Sequence, residues 1–285
     1  MPLTLVFPAP AAPMSDVPAL AVLARIAEET DLDDGVRVAG ELVSVPPHSG
    51  RLVITALTDA LLARYFRGGD DRTFRAESPG LGRRGAAFFR RVIEALQAEF
   101  FRGDDWRFAY RTTAGVPSLV VASGPSSATA TSCFLHLQPG TAPEVFARVV
   151  TALDGYGVGF RAELAGDPAA CDRADTAVVT VDRSDASTLA RVALRVHQRA
   201  PFAFAPSVPA FTRQLAPGIA LADEPGLGGP FGRHRCRLVA SGLVAAGHGA
   251  GLSARRAAVL KTLEQAGLDP AALHLNPGSS EFEVS

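Results

Sequence analysis

Four basic residues stand at the start of one predicted helix, where a helix already carries positive charge. A glycine- and proline-rich stretch, 217–230, leads into this helix, whose apolar face is formed at helical spacing by Cys236, Val239, Ala240 and Leu243. Its first two turns hold Arg233, His234, Arg235 and Arg237. Because a helix N-terminus bears about half a positive charge, basic side chains are unfavourable there. A bound anion, with phosphate as the leading candidate, would offset this unfavourable accumulation of positive charge. Alternatively, the arginines face solvent or pair with Asp223 and Glu224.

These residue types suit phosphate binding combined with proton transfer. Arginine forks bind phosphate through two parallel hydrogen bonds. Histidine exchanges a proton near neutral pH, so His234 is the candidate acid. His136, on a predicted strand, is a second candidate acid or base, although a lone strand histidine is more often a hydrogen-bonded core residue. The sequence has no Walker loop, no HExxH and no acidic metal-ligand motif, which argues against phosphate transfer from a nucleotide.

Two further groups of charged residues could complete such a site. Arg161 lies on one face of a predicted strand, and Asp172, Arg173 and Asp175 lead into the next strand. If the chain is extended there, Arg173 and Asp175 share a face, and an ion pair between them is the structural alternative. The predicted phosphate-binding set is Arg173, Arg213, Arg235 and Arg237, with Asp172 and Asp175 in support.

Composition excludes several classes of protein. The net charge of −1 gives no global field for nucleic acid or a membrane surface, and 47% hydrophobic residues supply a sizeable core. Only Lys261 of the 28 Lys and Arg residues is a lysine, so a lysine base has a single candidate. Cys133, Cys171 and Cys236 lack metal-ligand spacing and are expected to be free thiols in the cytoplasm, with Cys236 in the core.

The hydrophobic pattern predicts an α+β fold with N-terminal helices, a central mixed or antiparallel sheet flanked by helices, and C-terminal helices. We expect a flexible lead at 1–15, a helical part at 16–104 and an α+β part at 105–285 that forms one compact unit with it. Helices are predicted at 17–29, 52–66, 83–101, 142–156, 186–199 and from 231, and a last one is capped by Ser253. Strands are predicted at 36–45, 106–113, 118–123, 131–138, 158–164 and 176–183, and a loop at 67–82.

Several segments carry a resemblance to a known family. They are Phe160-Arg161, CDRADTAVVTV (171–181), PAFTRQ (209–214), LAPGIALADEP (215–225), PFGRHRCRLVA (230–240) and, less specifically, LTDALLARYF (57–66). In this order they resemble HopA-type type III effector-like proteins over about residues 50–250. Within that family the chain is similar to the actinobacterial lyases that are encoded beside a separate kinase in class V lanthipeptide and thioamitide pathways.

The resemblance implies a carbon–oxygen lyase that needs no cofactor. A partner kinase would phosphorylate Ser or Thr of a precursor peptide, and the lyase would expel phosphate to leave dehydroalanine or dehydrobutyrine. The implied partners are the precursor peptide, through its leader and phosphorylated core, and the kinase. Related phosphothreonine lyases use a lysine base, a histidine acid and arginines on the phosphate.

The sequence departs from the family pattern at the position of the base. Arg161 stands where the family has lysine, Cys171 where it has tyrosine, and Pro230 where it has serine. Arginine is a poor base because its pKa is above about 12. The base is therefore His136, Lys261 or a desolvated Arg161, or the protein binds its peptide without eliminating phosphate. The alternatives to a lyase are a non-catalytic subunit that holds the precursor or the kinase, and an effector that binds host proteins.

Overall fold

The computed structural model describes residues 19–33, 35–44, 50–68, 83–98, 106–113, 116–124, 129–226 and 229–283. The expected lead at 1–15 and nearly all of the predicted loop at 67–82 lie outside these residues. The helices of the described chain are α1 Ala19–Glu29, α2 Gly50–Leu61, α3 Arg83–Ala98, α4 Ala142–Gly155, α5 Ala186–Arg199, α6 Phe231–Ala246 and α7 Leu252–Gln265. None of them is both long and apolar enough to cross a lipid bilayer.

The described strands form two antiparallel sheets. A small sheet contains β1 Thr30–Asp31, β2 Arg37–Val38 and β3 Glu41–Leu42 in that order. The large sheet has the order β4-β5-β7-β8-β6-β10-β9, with every neighbouring pair antiparallel. Its strands are β4 Arg107–Thr113, β5 Val116–Ser123, β6 Ala130–Leu135, β7 Phe160–Ala165, β8 Ala177–Asp182, β9 Arg213–Ala216 and β10 Ile219–Asp223. The fold is α+β, as the sequence predicts.

Helices cover the two faces of the large sheet unequally. Residues from α3, α4 and α5 pack against one whole face, including Val121, Leu164 and Val179. Helices α1, α2, α6 and α7 form a second core that reaches the other face mainly at β6 and β10, through Phe134 and Ala222. Over β7 and β8 the same face carries polar residues, because alternate side chains of a strand point to opposite faces. This part of the sheet is the floor of an open cleft.

A π-helical turn continues α2 along one wall of this cleft. The segment Leu62–Arg67 is π-helical and ends at Gly68, whose φ of +68° is in the left-handed region. Its last carbonyls bond outside the helix, with Tyr65 accepting from the backbone N–H of Ala210 and Arg67 from that of Ala174. Single π-turns are frequent at functional sites, and this one brings Arg67 to the cleft.

The structure corrects three local predictions. The glycine- and proline-rich stretch 217–230, predicted to be a loop, contributes its first residues to the β9–β10 hairpin, whose connection is Pro217-Gly218 with φ of +74° at Gly218. The predicted strand at 36–45 is instead the β2–β3 hairpin, because Ala39 and Gly40 both have positive φ and reverse the chain. The last helix begins at Leu252 with Gly251 as its N-cap, so Ser253 is not the cap.

Close helix packing holds α6 in place against its neighbours. A Cβ atom added at Gly242 would lie 2.6 Å from the Cα of Val259 on α7. One added at Gly232 would lie 2.5–2.6 Å from the ring of Phe66 on the π-helical turn. Distances below 3 Å force the backbone or the ring to move, so both glycines are required by packing.

We expect Gly242→Ala to destabilise the protein by about 1–3 kcal/mol, since the added methyl group meets the backbone of α7. Urea unfolding followed by circular dichroism measures this change. The matched control is Gly140→Ala, where a Cβ atom meets no atom within 4 Å and stability should change little. Equal midpoints for the two variants would contradict the packing described here.

Candidate functional site

The candidate site is a cleft of about 640 Å³ between the uncovered part of the sheet and the N-terminus of α6. Strands β5, β7 and β8 form its floor, the π-helical turn forms one wall, and residues 229–233 form the other. Its charged lining consists of Arg67, Arg161, Glu163, Arg173, Asp175, Glu224 and Arg233. Four arginines and three carboxylates line the cleft, and this excess of one positive charge favours an anionic ligand.

Hydroxyl groups link the floor strand β8 to the neighbouring strand β6. The strand register sets Arg161, Thr180 and Ser132 side by side on one face. The Ser132 hydroxyl donates to Glu224 at 2.6 Å and lies 2.7 Å from the Thr180 hydroxyl, so Thr180 is the donor in that second bond. Arg161 lies 3.6 Å from Glu163, two residues along the same strand, and its side chain is 45% exposed.

Asp175 organises two of the cleft arginines. Arg173 donates to its carboxylate through Nε at 2.8 Å and Nη2 at 2.7 Å, and the Nε of Arg67 lies 3.7 Å away. From the sequence, an ion pair between Arg173 and Asp175 is the alternative to a role in phosphate binding, and the structure contains this pair. Its two parallel hydrogen bonds are the strong form of an arginine–carboxylate contact. Asp172 is exposed and does not line the cleft.

Glu224 supplies a negative charge at the start of α6. Its carboxylate accepts a hydrogen bond of 3.0 Å from the backbone N–H of Phe231, the first residue of the helix. Burial raises the pKa of Glu224, while the bonds from Ser132 and Phe231 oppose that rise. The charge conflict predicted at this helix is thus partly offset by a carboxylate of the chain. Arg233 lies at the rim and pairs with Asp59 at 2.9 Å.

Arg235 lies outside the cleft, although the sequence suggests it as a phosphate ligand. Its side chain is completely buried and donates to the carbonyl oxygens of Leu273 at 2.8 Å and Leu275 at 2.9 Å. Burial lowers its pKa to about 10. Its guanidinium carbon is 4.9 Å from the centre of the Phe231 ring. Arg235 therefore holds the C-terminal segment on α6, and its donors are directed away from any ligand in the cleft.

His234 and Arg213 also contact neighbouring parts of the chain rather than the cleft. The Nδ1 atom of His234 accepts from Arg235 at 2.8 Å, and burial, followed by the charges of Arg235 and Arg237, lowers its pKa. Arg213 donates to the carboxylate of Glu281 and to the carbonyl oxygen of Phe282. Arg237 is exposed and outside the cleft lining.

The two other candidate bases are outside the cleft as well. The ring of His136 is buried, with Nδ1 at 2.8 Å from the Ser207 hydroxyl, and it also bonds to the backbone of Cys171. Burial lowers its pKa, as for a histidine held neutral in a core. Lys261 is exposed on α7. Of the predicted residues, the cleft therefore brings together Arg161, Arg173 and Asp175.

The cysteines take no part in the site. Cys133, Cys171 and Cys236 are buried, and burial raises the pKa of each thiol, to about 12 for Cys171 and Cys236. The expected place of Cys236 in the core is confirmed. In the described part of the chain, no three or more His, Cys, Asp or Glu side chains are arranged to hold a metal ion.

Sequence reasoning assigned no role to Arg67 or Glu163, and it named Glu224 only as a possible ion-pair partner of the α6 arginines. Glu163 had a usable signal, because it is two residues from Arg161 and therefore on the same strand face. Glu224 had one too, since it precedes a helix start and could cap it. Arg67 had none: the π-helical turn that directs it cannot be inferred from periodicity.

The molecule is thus an α+β protein in which an arginine-rich cleft opens on a half-covered antiparallel sheet. The family model of the HopA1 effector protein family matches residues 113–275, more than half of the chain. The chain belongs to that family. The matched range includes the three strands of the cleft floor and the start of α6.

Two solved structures share the fold. They are the structures of the effector proteins from Pseudomonas syringae pv. tomato strain DC3000, with a TM-score of 0.50, and Pseudomonas syringae pv. syringae strain 61, with a TM-score of 0.51. Each is 14% identical in sequence, and each alignment covers 79% of this chain and 96% of the other. At that identity the likeness concerns the fold alone. No curated protein is significantly similar in sequence.

We expect Arg235→Ala to lower the free energy of unfolding by about 3 kcal/mol or more, because buried carbonyl groups lose a charged donor. Arg237→Ala, two residues along the same helix and exposed, should change it by less than about 0.5 kcal/mol. Chemical denaturation of both variants tests the difference. Similar stabilities would mean that Arg235 does not hold the C-terminal segment.

We also expect acid to destabilise the protein below about pH 6.5, the ordinary pKa of histidine. Burial lowers the pKa of His136, His197, His234 and His274. The unfolded state therefore binds more protons between each folded pKa and about 6.5, so the free energy of unfolding falls as pH falls through that window. Urea midpoints measured across it should decline less steeply in His136→Gln. An unchanged slope would contradict a neutral, buried His136.

Proposed function

We propose that the protein is a carbon–oxygen lyase that eliminates phosphate from phosphoserine or phosphothreonine of a ribosomal precursor peptide. The products would be dehydroalanine or dehydrobutyrine and inorganic phosphate, in a lanthipeptide or thioamitide pathway. A separate kinase would supply the phosphorylated peptide. The reaction needs a cleft that admits a peptide chain, cations for a phosphate group and a base near the substrate Cα.

The observation that supports this proposal is the convergence of the family-like segments on one cleft. Strand β7 contributes Arg161, and the segment 171–181 contributes Arg173 and Asp175. The segment 215–225 contributes Glu224, and the segment 230–240 contributes Arg233. Segments far apart in sequence thus place arginines around one open space beside a helix N-terminus, which is a recurrent setting for phosphate.

In the proposed reaction the arginines of the walls hold the phosphate. A base removes the proton from the substrate Cα, the Cα–H electron pair forms the Cα=Cβ double bond, and the Cβ–O bond breaks. Its electron pair leaves with the phosphate, whose growing negative charge is stabilised by Arg67, Arg173 and Arg233. Removing one fixed group that stabilises charge in a transition state typically lowers kcat by about 10²–10³-fold. Because phosphate leaves as an anion on these arginines, an acid is not essential.

We assign the base to Glu163. The carboxylate lines the cleft and its one described ion pair is the loose contact of 3.6 Å with Arg161. Glu224 is less suitable because Ser132 and the Phe231 N–H occupy its two oxygens. Arg161 is exposed to solvent, and a guanidinium group is a poor base. Its role would be to stabilise the negative charge that develops on the substrate carbonyl as the proton leaves.

A second candidate function is a non-catalytic subunit that holds the phosphorylated precursor or the kinase. The pairing of cleft charges favours it, because Arg173 is paired with Asp175 and Arg233 with Asp59. The only lysine lies outside the cleft on α7. A site of this composition would bind a phosphopeptide through its arginines and leave the Cβ–O bond intact.

The lyase assay uses a synthetic phosphothreonine peptide and the kinase-phosphorylated precursor, with mass spectrometry to detect loss of phosphoric acid and thiol addition to trap the alkene. We expect elimination by the unmodified protein and a loss of about 10²–10⁴-fold in Glu163→Gln, the range for a general base. Phosphopeptide binding should persist in that variant. Arg173→Ala should weaken binding and elimination together.

The matched control is Glu264→Gln, an exposed carboxylate on α7, which should behave as the unmodified protein. Phosphopeptide binding that depends on Arg173, without elimination under any condition, would favour the binding subunit and refute the lyase. Full activity in Glu163→Gln would refute the assignment of the base alone.

A further inference from the structure

A second charged depression lies on the opposite side of the large sheet from the cleft. Helices α4 and α5 pack side by side on that face, and a groove of about 320 Å³ runs between them. Its floor is apolar, with Ala152, Val192 and Val196. Its rim carries Arg148, Arg195 and Arg199, and none of the residues that line it is acidic. The groove therefore combines apolar contact area with positive charge.

Tyr156 holds two arginines at the edge of this groove. It follows α4 directly, and its hydroxyl accepts a hydrogen bond of 3.0 Å from Arg195 on α5. The guanidinium carbon of Arg191 lies 5.7 Å from the centre of the same ring. A tyrosine shared by two arginines restricts their rotamers, so less conformational entropy is lost when a ligand binds them.

The arginine charges along α5 have no carboxylate partner in the part of the chain that the structure describes. Arg191, Arg195 and Arg199 recur every four residues and form one stripe with a spacing of about 6 Å. No carboxylate among the described residues lies within ion-pair distance of these three side chains. In the cleft, by contrast, carboxylate side chains of the protein itself pair with the arginines. Among the described residues, the stripe thus differs from the cleft in having cations without carboxylate counterions.

Helix stability does not explain the stripe. Like charges four residues apart cost about 0.2–0.5 kcal/mol per pair. The helix dipole favours a cation only in the last turn, which accounts for Arg199 but not for Arg191 near the middle of α5. An external anion that contacts several guanidinium groups at once would remove this repulsion.

We propose that the groove between α4 and α5 binds an acidic, amphipathic peptide segment. Carboxylate side chains would pair with the arginine stripe, since guanidinium forks match carboxylates in geometry. Apolar side chains of the same segment would lie on Val192 and Val196. Phe202, three residues beyond Arg199 and 75% exposed, adds apolar surface at the end of α5. This mixture of an apolar floor and a cationic rim fits a peptide better than a bare phosphate backbone.

The test measures fluorescence anisotropy of a labelled peptide built from Glu and Leu at helical spacing, with the full chain. We expect binding that weakens with salt, because the arginines are exposed. The double variant Arg195→Gln/Arg199→Gln should lose affinity by roughly tenfold. Tyr156→Phe should lose a smaller factor, since it removes only the hydroxyl contact. The matched control, Arg256→Gln on α7, should bind as the unmodified protein.

Three outcomes would overturn the proposal. The first is equal affinity in the double variant and in the control, with both folded by circular dichroism. The second is equal binding of a peptide in which Lys replaces Glu. The third is Arg195-dependent binding of a labelled single-stranded oligonucleotide or of phosphatidylserine vesicles in place of the acidic peptide. Because the groove and the cleft lie on opposite faces, failure here leaves the elimination proposal untouched, and the reverse also holds.

Discussion

The buried polar junction at the N-terminus of α6 is the constraint on which the rest of the structure depends. Glu224 accepts from the first helical N–H, and Arg235 binds the carbonyl oxygens of Leu273 and Leu275. Asn276 joins the two by donating to the carbonyl oxygen of Glu224 at 2.7 Å. Buried charges are tolerated only when they are hydrogen-bonded on every side. Strand β10, helix α6 and the C-terminal segment must therefore take one relative arrangement.

That arrangement decides where the sheet is covered and where it is open. With α6 fixed over β6 and β10, its first turn overhangs β7 and β8 without filling the space above them. The floor exposed there carries Arg161, Glu163 and Thr180 beside the apolar Val178. Their counterparts on the other face, such as Ala162 and Val179, are fully buried. The cleft is thus a direct result of period-two alternation on strands that only one helical layer covers completely.

Much of this fold follows from local patterns, and the parts that do not have physical reasons. Helix α5 has the predicted bounds because its apolar periodicity is regular. The β9–β10 hairpin was missed because its strands are short and its proline and glycine resemble a loop. Arg235 has the charge pattern of a ligand, but its neighbours four residues away, Phe231 and Val239, are apolar and indicate a buried position. Only long-range contacts with residues 273–276 make that burial tolerable, and no local pattern contains them.

The pairing of the cleft arginines with carboxylates limits the free energy that a phosphate gains by binding there. A phosphate that enters must share or replace Asp175 on Arg173, so one ion pair is exchanged for another and little net Coulomb energy is gained. Affinity would then come from paired hydrogen bonds between guanidinium groups and the phosphate, and from contacts of the peptide with the cleft floor. The carboxylates would exclude ligands whose negative charge is too small to displace them from the arginines. The same exchange applies to Arg161 and Glu163, because a substrate carbonyl that takes the place of Glu163 on Arg161 would free the carboxylate proposed as the base. A site built from arginine–carboxylate pairs would therefore couple substrate binding to the release of a base, which a site of unpaired arginines would not do.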